Sequence, residues 1–145
     1  MAKASGNKNE IGIKYSDKSV GQPEMVKIFK EIKKLFVPYE KGLVSMRGGD
    51  GGQVALVSEK ELVIDGKKKT EMWFAAALVQ KGYVGFYCMP VYADGGTKKL
   101  LGAELLNCLK GKTCFHIKKN DSVIFQQIKD ALKVGYDYYR KKGWV

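Results

Sequence analysis

Several residue types that often reveal a function are scarce in this sequence. Only two of its 26 cationic residues are arginine, and it has a single histidine, His116. Its three cysteines, Cys88, Cys108 and Cys114, include no C-x-x-C pair. A disulfide framework and a zinc ribbon are therefore not expected.

Long apolar runs are also absent. No segment approaches the roughly 20 apolar residues that span a bilayer. The polar start, MAKASGNKNE, lacks the apolar core of a secretory signal. We therefore expect a cytoplasmic protein with reduced thiols and no membrane segment.

Lysine, by contrast, is abundant, and the formal net charge is +11. Such a charge raises the prospect of nucleic-acid binding. Lysine lacks the planar fork with which arginine recognises phosphates and bases, however, and here it is spread along the whole chain in pairs and triplets. A solvated, lysine-rich surface is thus favoured, and lysine-mediated nucleic-acid binding is kept as an alternative.

The first third of the chain predicts a tail, a strand and a helix. Residues 1–10 are small and polar, so we expect a flexible tail ahead of one domain at residues 11–145. Alternation of Ile11, Ile13 and Tyr15 predicts a short edge strand. Apolar residues at helical spacing then predict a helix that starts at Pro23 and is ended by Pro38.

From Leu43 to Tyr92 the apolar period changes to that of strands. Turn signals separate the strands at residues 48–52 (GGDGG), at Asp65-Gly66 and at Lys81-Gly82. The two longest segments, EMWFAAALVQ and YVGFYCMPVY, are apolar on both faces. They are predicted to be central strands with a cover on each side.

The remaining residues predict helix, strand and helix. Thr97 is expected to cap a helix that carries Leu101, Leu105, Cys108 and Leu109 on one face and is closed by Gly111. TCFHIKK reads as a strand, and a last helix is expected to start at Asn120 or Asp121 and end before Gly143. The predicted fold class is α+β, an antiparallel sheet of about five to six strands with an N-terminal helix and C-terminal helices packed on it.

Two short motifs resemble known binding loops. Lys81-Gly82-Tyr83 matches the start of an RNA-stacking motif, but the later aromatic positions hold Gly85 and Cys88, so a turn entering a strand is favoured. Gly111-Lys112-Thr113 resembles the end of a P-loop, but Leu106 stands where that motif needs glycine. Nucleotide hydrolysis is set aside.

Cys114 and His116 are two residues apart on a predicted strand and so share a face, which Cys88 on another strand could join. Thiol or metal chemistry at Cys114 and His116 is therefore an open alternative. No orienting acid and no fourth zinc ligand is evident. We expect no catalytic residue, no cofactor and no bound metal.

The strand residues Tyr83, Tyr87 and Met89 form the candidate binding surface. They are predicted to lie on one strand face that the helices leave open, where Lys112, Cys114 and His116 would complete a ligand-binding site. An open apolar sheet face is typical of a pocket or a dimer contact. The leading hypothesis is non-enzymatic binding of a small ligand or partner protein there, including a second copy in a homodimer.

Three blocks carry a family resemblance: GYVGFYCMPVY, ELLNCLKGKTCFHIKKND and IKDALKVGYDYYRKKGWV. Together they resemble the YdhG-like superfamily of bacterial proteins, a domain of unknown function, over roughly residues 23–145. The resemblance implies a compact α+β domain with an antiparallel sheet and implies no reaction. Some relatives are described as iron chaperones, a role that needs an acidic surface, whereas 26 basic residues outnumber 15 acidic ones here. Metal handling is therefore kept only as an alternative.

Overall fold

The computed structural model describes residues 16–48, 51–93, 95–111 and 114–145. The predicted tail at residues 1–10, the predicted strand at Ile11, Ile13 and Tyr15, and Lys112 lie outside these ranges. None of the helices in the described ranges combines the length and the apolar composition that a bilayer crossing requires.

Helices and strands follow one another in the predicted α+β order. The helices are α1 (Pro23–Phe36), α2 (Met89–Ala93), α3 (Gly95–Lys99), α4 (Ala103–Leu106) and α5 (Ser122–Lys142), with a 3-10 turn at Val37–Tyr39 after α1. The strands are β1 (Val44–Gly48), β2 (Gln53–Ser58), β3 (Leu62–Ile64), β4 (Lys67–Lys69), β5 (Met72–Gln80), β6 (Tyr83–Cys88), β7 (Leu109–Lys110) and β8 (Cys114–Ile117). The predicted fold class is confirmed.

Six of these strands form one antiparallel sheet in the order β1-β2-β5-β6-β8-β7. β5 and β6 are its two central strands, as the sequence predicts. They meet in a two-residue turn where Gly82 has a φ of 85°, a value that favours glycine. Asp65-Gly66 makes the other predicted hairpin, but β3 and β4 form a separate two-stranded sheet.

The two long helices start and end as the sequence predicts. α1 has Pro23 in its first turn, and Pro38 follows in the 3-10 turn. At the start of α5, the Asp121 carboxylate accepts a hydrogen bond from the Val123 amide at 2.9 Å. Its end is closed by Gly143, whose φ of 75° is left-handed.

The main core lies between one face of the sheet and the helices, and we call this side the helix-covered face. Its largest fully buried residues include Phe36 of α1, Phe74 of β5, Phe86 of β6 and Phe115 of β8. α5 adds Tyr139, whose hydroxyl donates a hydrogen bond to the Trp73 carbonyl at 2.6 Å. The C-terminus is thereby held against the sheet.

The prediction of a strand over residues 83–92 is wrong at its end. β6 stops at Cys88, and Met89 opens the helix α2. Pro90 explains the change because it has no amide to donate to a sheet and is tolerated in the first turn of a helix. Met89 packs against the core under the helix-covered face.

The predicted helix after Thr97 is also wrong. The segment forms the two short helices α3 and α4, with Thr97 inside the first rather than at its cap. A side chain from α5, Gln127, accepts a hydrogen bond from the Leu105 amide at 2.9 Å. The same side chain lies so close to Gly102 that a Cβ there would clash with it. Gly111 lies in the turn between β7 and β8 instead of closing a helix.

Candidate functional site

The sheet face opposite the helix-covered face is called the second face. At its centre lie four buried apolar residues from β2 and β5, with Trp73 and Tyr87 packed against them. The four buried residues are Ala55, Val57 and Ala76, all 0% exposed, and Leu78, 2% exposed. No helical residue of the described chain belongs to this cluster. Because the four side chains are buried, the centre of this face presents no apolar surface to a ligand.

At the β1 side, the second face becomes charged. The Arg47 guanidinium donates hydrogen bonds to the carboxylates of Glu59 and Glu71. The Arg47 side chain is only 20% exposed. Burial is the largest single influence and acts to lower the pKa of Arg47. The hydrogen bonds and charges of Glu71 and Glu59 together outweigh it, so the pKa is raised. The cation is thus already satisfied by protein groups.

Near β8, a glycine makes room for a tyrosine and a thiol. A Cβ on Gly85 would lie 3.2 Å from Tyr87 Cε1 and 3.6 Å from Cys114 Sγ. The Tyr87 hydroxyl and the Cys114 sulfur are hydrogen-bonded. Burial raises the pKa of Cys114, and burial followed by this hydrogen bond raises that of Tyr87. Both groups are therefore protonated at neutral pH, and the Cys114 thiol has little nucleophilic character.

His116 stacks on Tyr83 at the same side of the second face. Their ring centroids are 3.8 Å apart and the ring planes are inclined by only 10°. His116 is paired across the sheet with Gly85, which has no side chain to occupy the space beside the imidazole. Partial burial, followed by the positive charges of Lys110 and Lys118, lowers the pKa of His116. The imidazole is therefore neutral at pH 7.

Beside this stack is a cavity of about 230 Å³, which we call the basic groove. It is lined by Asn107, Cys108, Lys110, His116, Lys118, Lys119 and Ile124. β7 and β8 pair antiparallel, which places Lys110 opposite Cys114. Just before β7, the Cys108 carbonyl accepts a hydrogen bond from the His116 amide at 2.8 Å. None of the described lining residues is a carboxylate. Three lysine residues therefore line one cavity that has no acidic residue in its described lining.

Cys108 contributes a thiol to the lining of the basic groove. Burial raises its pKa, the charges of Lys118 and Lys110 act in the opposite direction, and Asp121 adds to the increase. Its sulfur also donates a weak hydrogen bond to the Glu104 carbonyl at 3.5 Å. Like Cys114, this thiol is protonated at neutral pH.

Of the predicted site residues, Tyr83, Tyr87, Cys114 and His116 come together on the second face. The prediction that Met89 joins them is wrong, because that residue opens α2 under the opposite face. The sixth predicted residue, Lys112, lies outside the described residues.

Cys88 does not join Cys114 and His116 either. It is 0% exposed in the core under the helix-covered face, and burial raises the pKa of its thiol to about 12. In residues 16–48, 51–93, 95–111 and 114–145, no three side chains from His, Cys, Asp and Glu are placed to hold a metal ion.

Sequence reasoning missed the lysines of the basic groove, Lys110, Lys118 and Lys119. A signal for one of them was present, because Lys118 continues the every-second-residue spacing of Cys114 and His116. No comparable signal existed for Lys110, whose place depends on the pairing of β7 with β8.

Comparison with known proteins adds no relative. No protein-family model matches the chain, and neither the curated proteins nor the solved structures contain a match. The resemblance to the YdhG-like superfamily stays a prediction.

Proposed function

We propose that this protein is a non-enzymatic domain that binds a small anionic ligand, bearing a phosphate or carboxylate group, in the basic groove. The observation that carries the proposal is the convergence of Lys110, Lys118, Lys119 and His116 on one cavity whose described lining includes no carboxylate. In this proposal, the ligand binds at the exposed side of the second face, next to β8, and not at its buried centre.

The electrostatics of the groove support an anionic ligand. Three lysine charges around a partly enclosed volume repel one another, and an anion between them relieves this repulsion. Burial is the largest cause of the lowered pKa of His116, and the positive charges of Lys110 and Lys118 lower that pKa further. Lysine provides a mobile point charge for phosphate, so the groove needs no arginine.

The character of the nearby thiols supports a binding role over catalysis. Cys108 and Cys114 both have raised pKa values, so neither supplies the thiolate that a nucleophile requires. The three cysteines are free, which suits the reducing cytoplasm in which we propose that the protein acts.

The single histidine makes a direct test possible. Its ring protons give one set of imidazole signals in a proton NMR spectrum, and a pH titration in inorganic phosphate or pyrophosphate measures the pKa of His116. A bound anion offsets the positive potential, so we expect that pKa to rise with ligand concentration and to saturate. A Lys118→Gln variant should weaken the response several-fold, whereas Lys67→Gln, an exposed change in the separate two-stranded sheet, should not.

Two outcomes would contradict the proposal. An equal response in the Lys118→Gln and Lys67→Gln variants would show a general charge effect instead of a site. Binding of a single-stranded oligonucleotide with a steep salt dependence, without any response to phosphate or pyrophosphate, would favour the alternative of lysine-mediated nucleic-acid binding. Partner-protein binding or homodimerisation through the second face stays a prediction, measurable by analytical ultracentrifugation.

A further inference from the structure

We infer that the ligand of the basic groove is nucleotide-like, with a planar heteroaromatic ring that stacks beside His116 and a phosphate that the lysines bind. This inference rests on the proposed function, since it assumes the anion site and adds a second recognition element. The added element is the Tyr83–His116 stack, which lies at the edge of the groove.

The stack is organised before any ligand arrives. Tyr83 is held at the first position of β6, directly after the turn at Gly82, and is paired with Gln80. His116 is held in β8 opposite Gly85. With the rings nearly parallel and 3.8 Å apart, the tyrosine fixes the orientation of the imidazole. An aromatic ligand that joins a fixed stack loses less freedom than one that must order a mobile side chain.

The geometry of His116 leaves a surface for such a ring. One side of the imidazole is covered by Tyr83, while the side chain remains partly exposed and lines the groove. Its pKa is lowered, so at neutral pH it offers an uncharged aromatic surface. Neutral imidazole and tyrosine rings stack on nucleobases.

The size of the groove is consistent with a ligand whose phosphate lies inside the groove and whose ring lies outside it. Its volume of about 230 Å³ is below the roughly 300 Å³ at which pockets for whole drug-sized molecules begin. A cavity of this volume has room for one phosphate with part of a sugar, which Lys110, Lys118 and Lys119 would contact. The attached ring would then extend along the exposed side of the stack, where it remains partly in contact with solvent.

The test compares four probes on the whole chain: adenosine 5′-monophosphate, ribose 5-phosphate, adenosine and inorganic phosphate. We expect the nucleotide to bind at least about fivefold more tightly than ribose 5-phosphate, because stacking of one base adds an appreciable share of affinity. Its ring current should also shift the His116 ring protons upfield, an effect that ribose 5-phosphate cannot produce.

Two variants at residue 83 show whether the stack is responsible. Tyr83→Leu should reduce the affinity for the nucleotide more than the affinity for ribose 5-phosphate, so that the preference between the two probes is lost. Tyr83→Phe keeps a ring of the same shape and should retain the preference. Circular dichroism confirms that each variant is folded, and the probe series on the unaltered chain decides the matter even if Tyr83→Leu does not fold.

The outcomes separate this inference from the proposed function. Equal affinities for the nucleotide and ribose 5-phosphate would overturn the ring inference and leave the anion site intact. Adenosine binding as tightly as the nucleotide would support the stack and overturn the anion site. Absence of binding by all four probes would overturn both.

Discussion

The two faces of the central sheet differ in what they bury. The helix-covered face encloses large side chains, among them Phe74, Phe86 and Phe115, under α1 and α5. The second face buries a small cluster of alanine, valine and leucine and then becomes polar toward both sides. The comparison teaches that stability is concentrated on one face, whereas the groups capable of recognising a ligand lie on the other.

The largest expected effect comes from the helix-covered face. Phe86→Ala should lower the free energy of unfolding by about 3–5 kcal/mol, because it leaves a cavity among Phe36 and Phe115. Urea denaturation measures the change. Phe86→Leu is the matched control and should cost much less. A loss below about 1 kcal/mol for the alanine variant would show that this face is not the main source of stability.

A second change tests how closely α5 approaches the same face. A Cβ on Gly135 would lie 2.8 Å from Pro90 Cγ and 3.3 Å from Phe74 Cε1. Gly135→Ala should therefore destabilise by about 1–3 kcal/mol through overpacking, although alanine is normally the better helix residue by about 1 kcal/mol. Thermal unfolding with Lys129→Ala, an exposed change on the same helix, as control measures the effect. A stabilised variant would contradict the close packing.

The tie between the sheet and the C-terminus is expected to have an intermediate effect. The Ser58 hydroxyl is buried and donates a hydrogen bond to the Trp144 carbonyl at 2.6 Å. Ser58→Ala should cost about 1 kcal/mol and alter the fluorescence of Trp144. Ser122→Ala, at an exposed position, is the control. Unchanged fluorescence and stability would show that the C-terminal residues are held by packing alone.

Smaller effects are expected from the charged side of the second face. Arg47→Met removes the ion pairs with Glu59 and Glu71 and keeps an unbranched apolar side chain of similar reach. Because both acidic partners are more than one-third exposed, the loss should be below about 1 kcal/mol and should shrink at high salt. Urea denaturation at low and high sodium chloride measures it. A loss as large as that of Phe86→Ala would overturn the contrast between the faces.

The smallest effect should be a pH dependence from His116. Its pKa is lowered from 6.5 in the folded protein, so the unfolded chain binds the proton more readily. Stability should therefore be full above pH 6.5 and fall as pH decreases through the folded pKa. A His116→Asn variant should remove this part of the pH dependence, as judged by urea midpoints between pH 5 and pH 8. An unchanged profile would assign the pH dependence to other groups.

Sequence reasoning reached much of the fold because the signals were local. Pro23, Asp121 and Gly143 fix helix ends through their own backbone and capping preferences, and Gly82 permits its tight turn. A β-bulge between β2 and β5 was beyond such reasoning. It places the consecutive residues Phe74 and Ala75 both in the main core, whereas strict alternation would send one of them to the second face.

The candidate site was predicted only in part for a related reason. Cys114 and His116 share a face because a strand repeats every two residues, which the sequence shows directly. The prediction for Met89 was wrong because it continued the alternating strand pattern through Pro90, whereas the chain forms a helix from Met89 onward. Lys110 was overlooked because β7 has only two residues and no pattern of its own.

By itself, the sequence determined the α+β class, the central position of β5 and β6, the main turns and the ends of the long helices. These features follow from short-range preferences of the backbone and from apolar periodicity. Only the tertiary structure decided that Cys88 is separated from Cys114 and that His116 stacks on Tyr83. It also decided that three lysines line the same groove as His116. Those outcomes depend on strand register and on pairing between distant segments, which single-residue preferences do not specify.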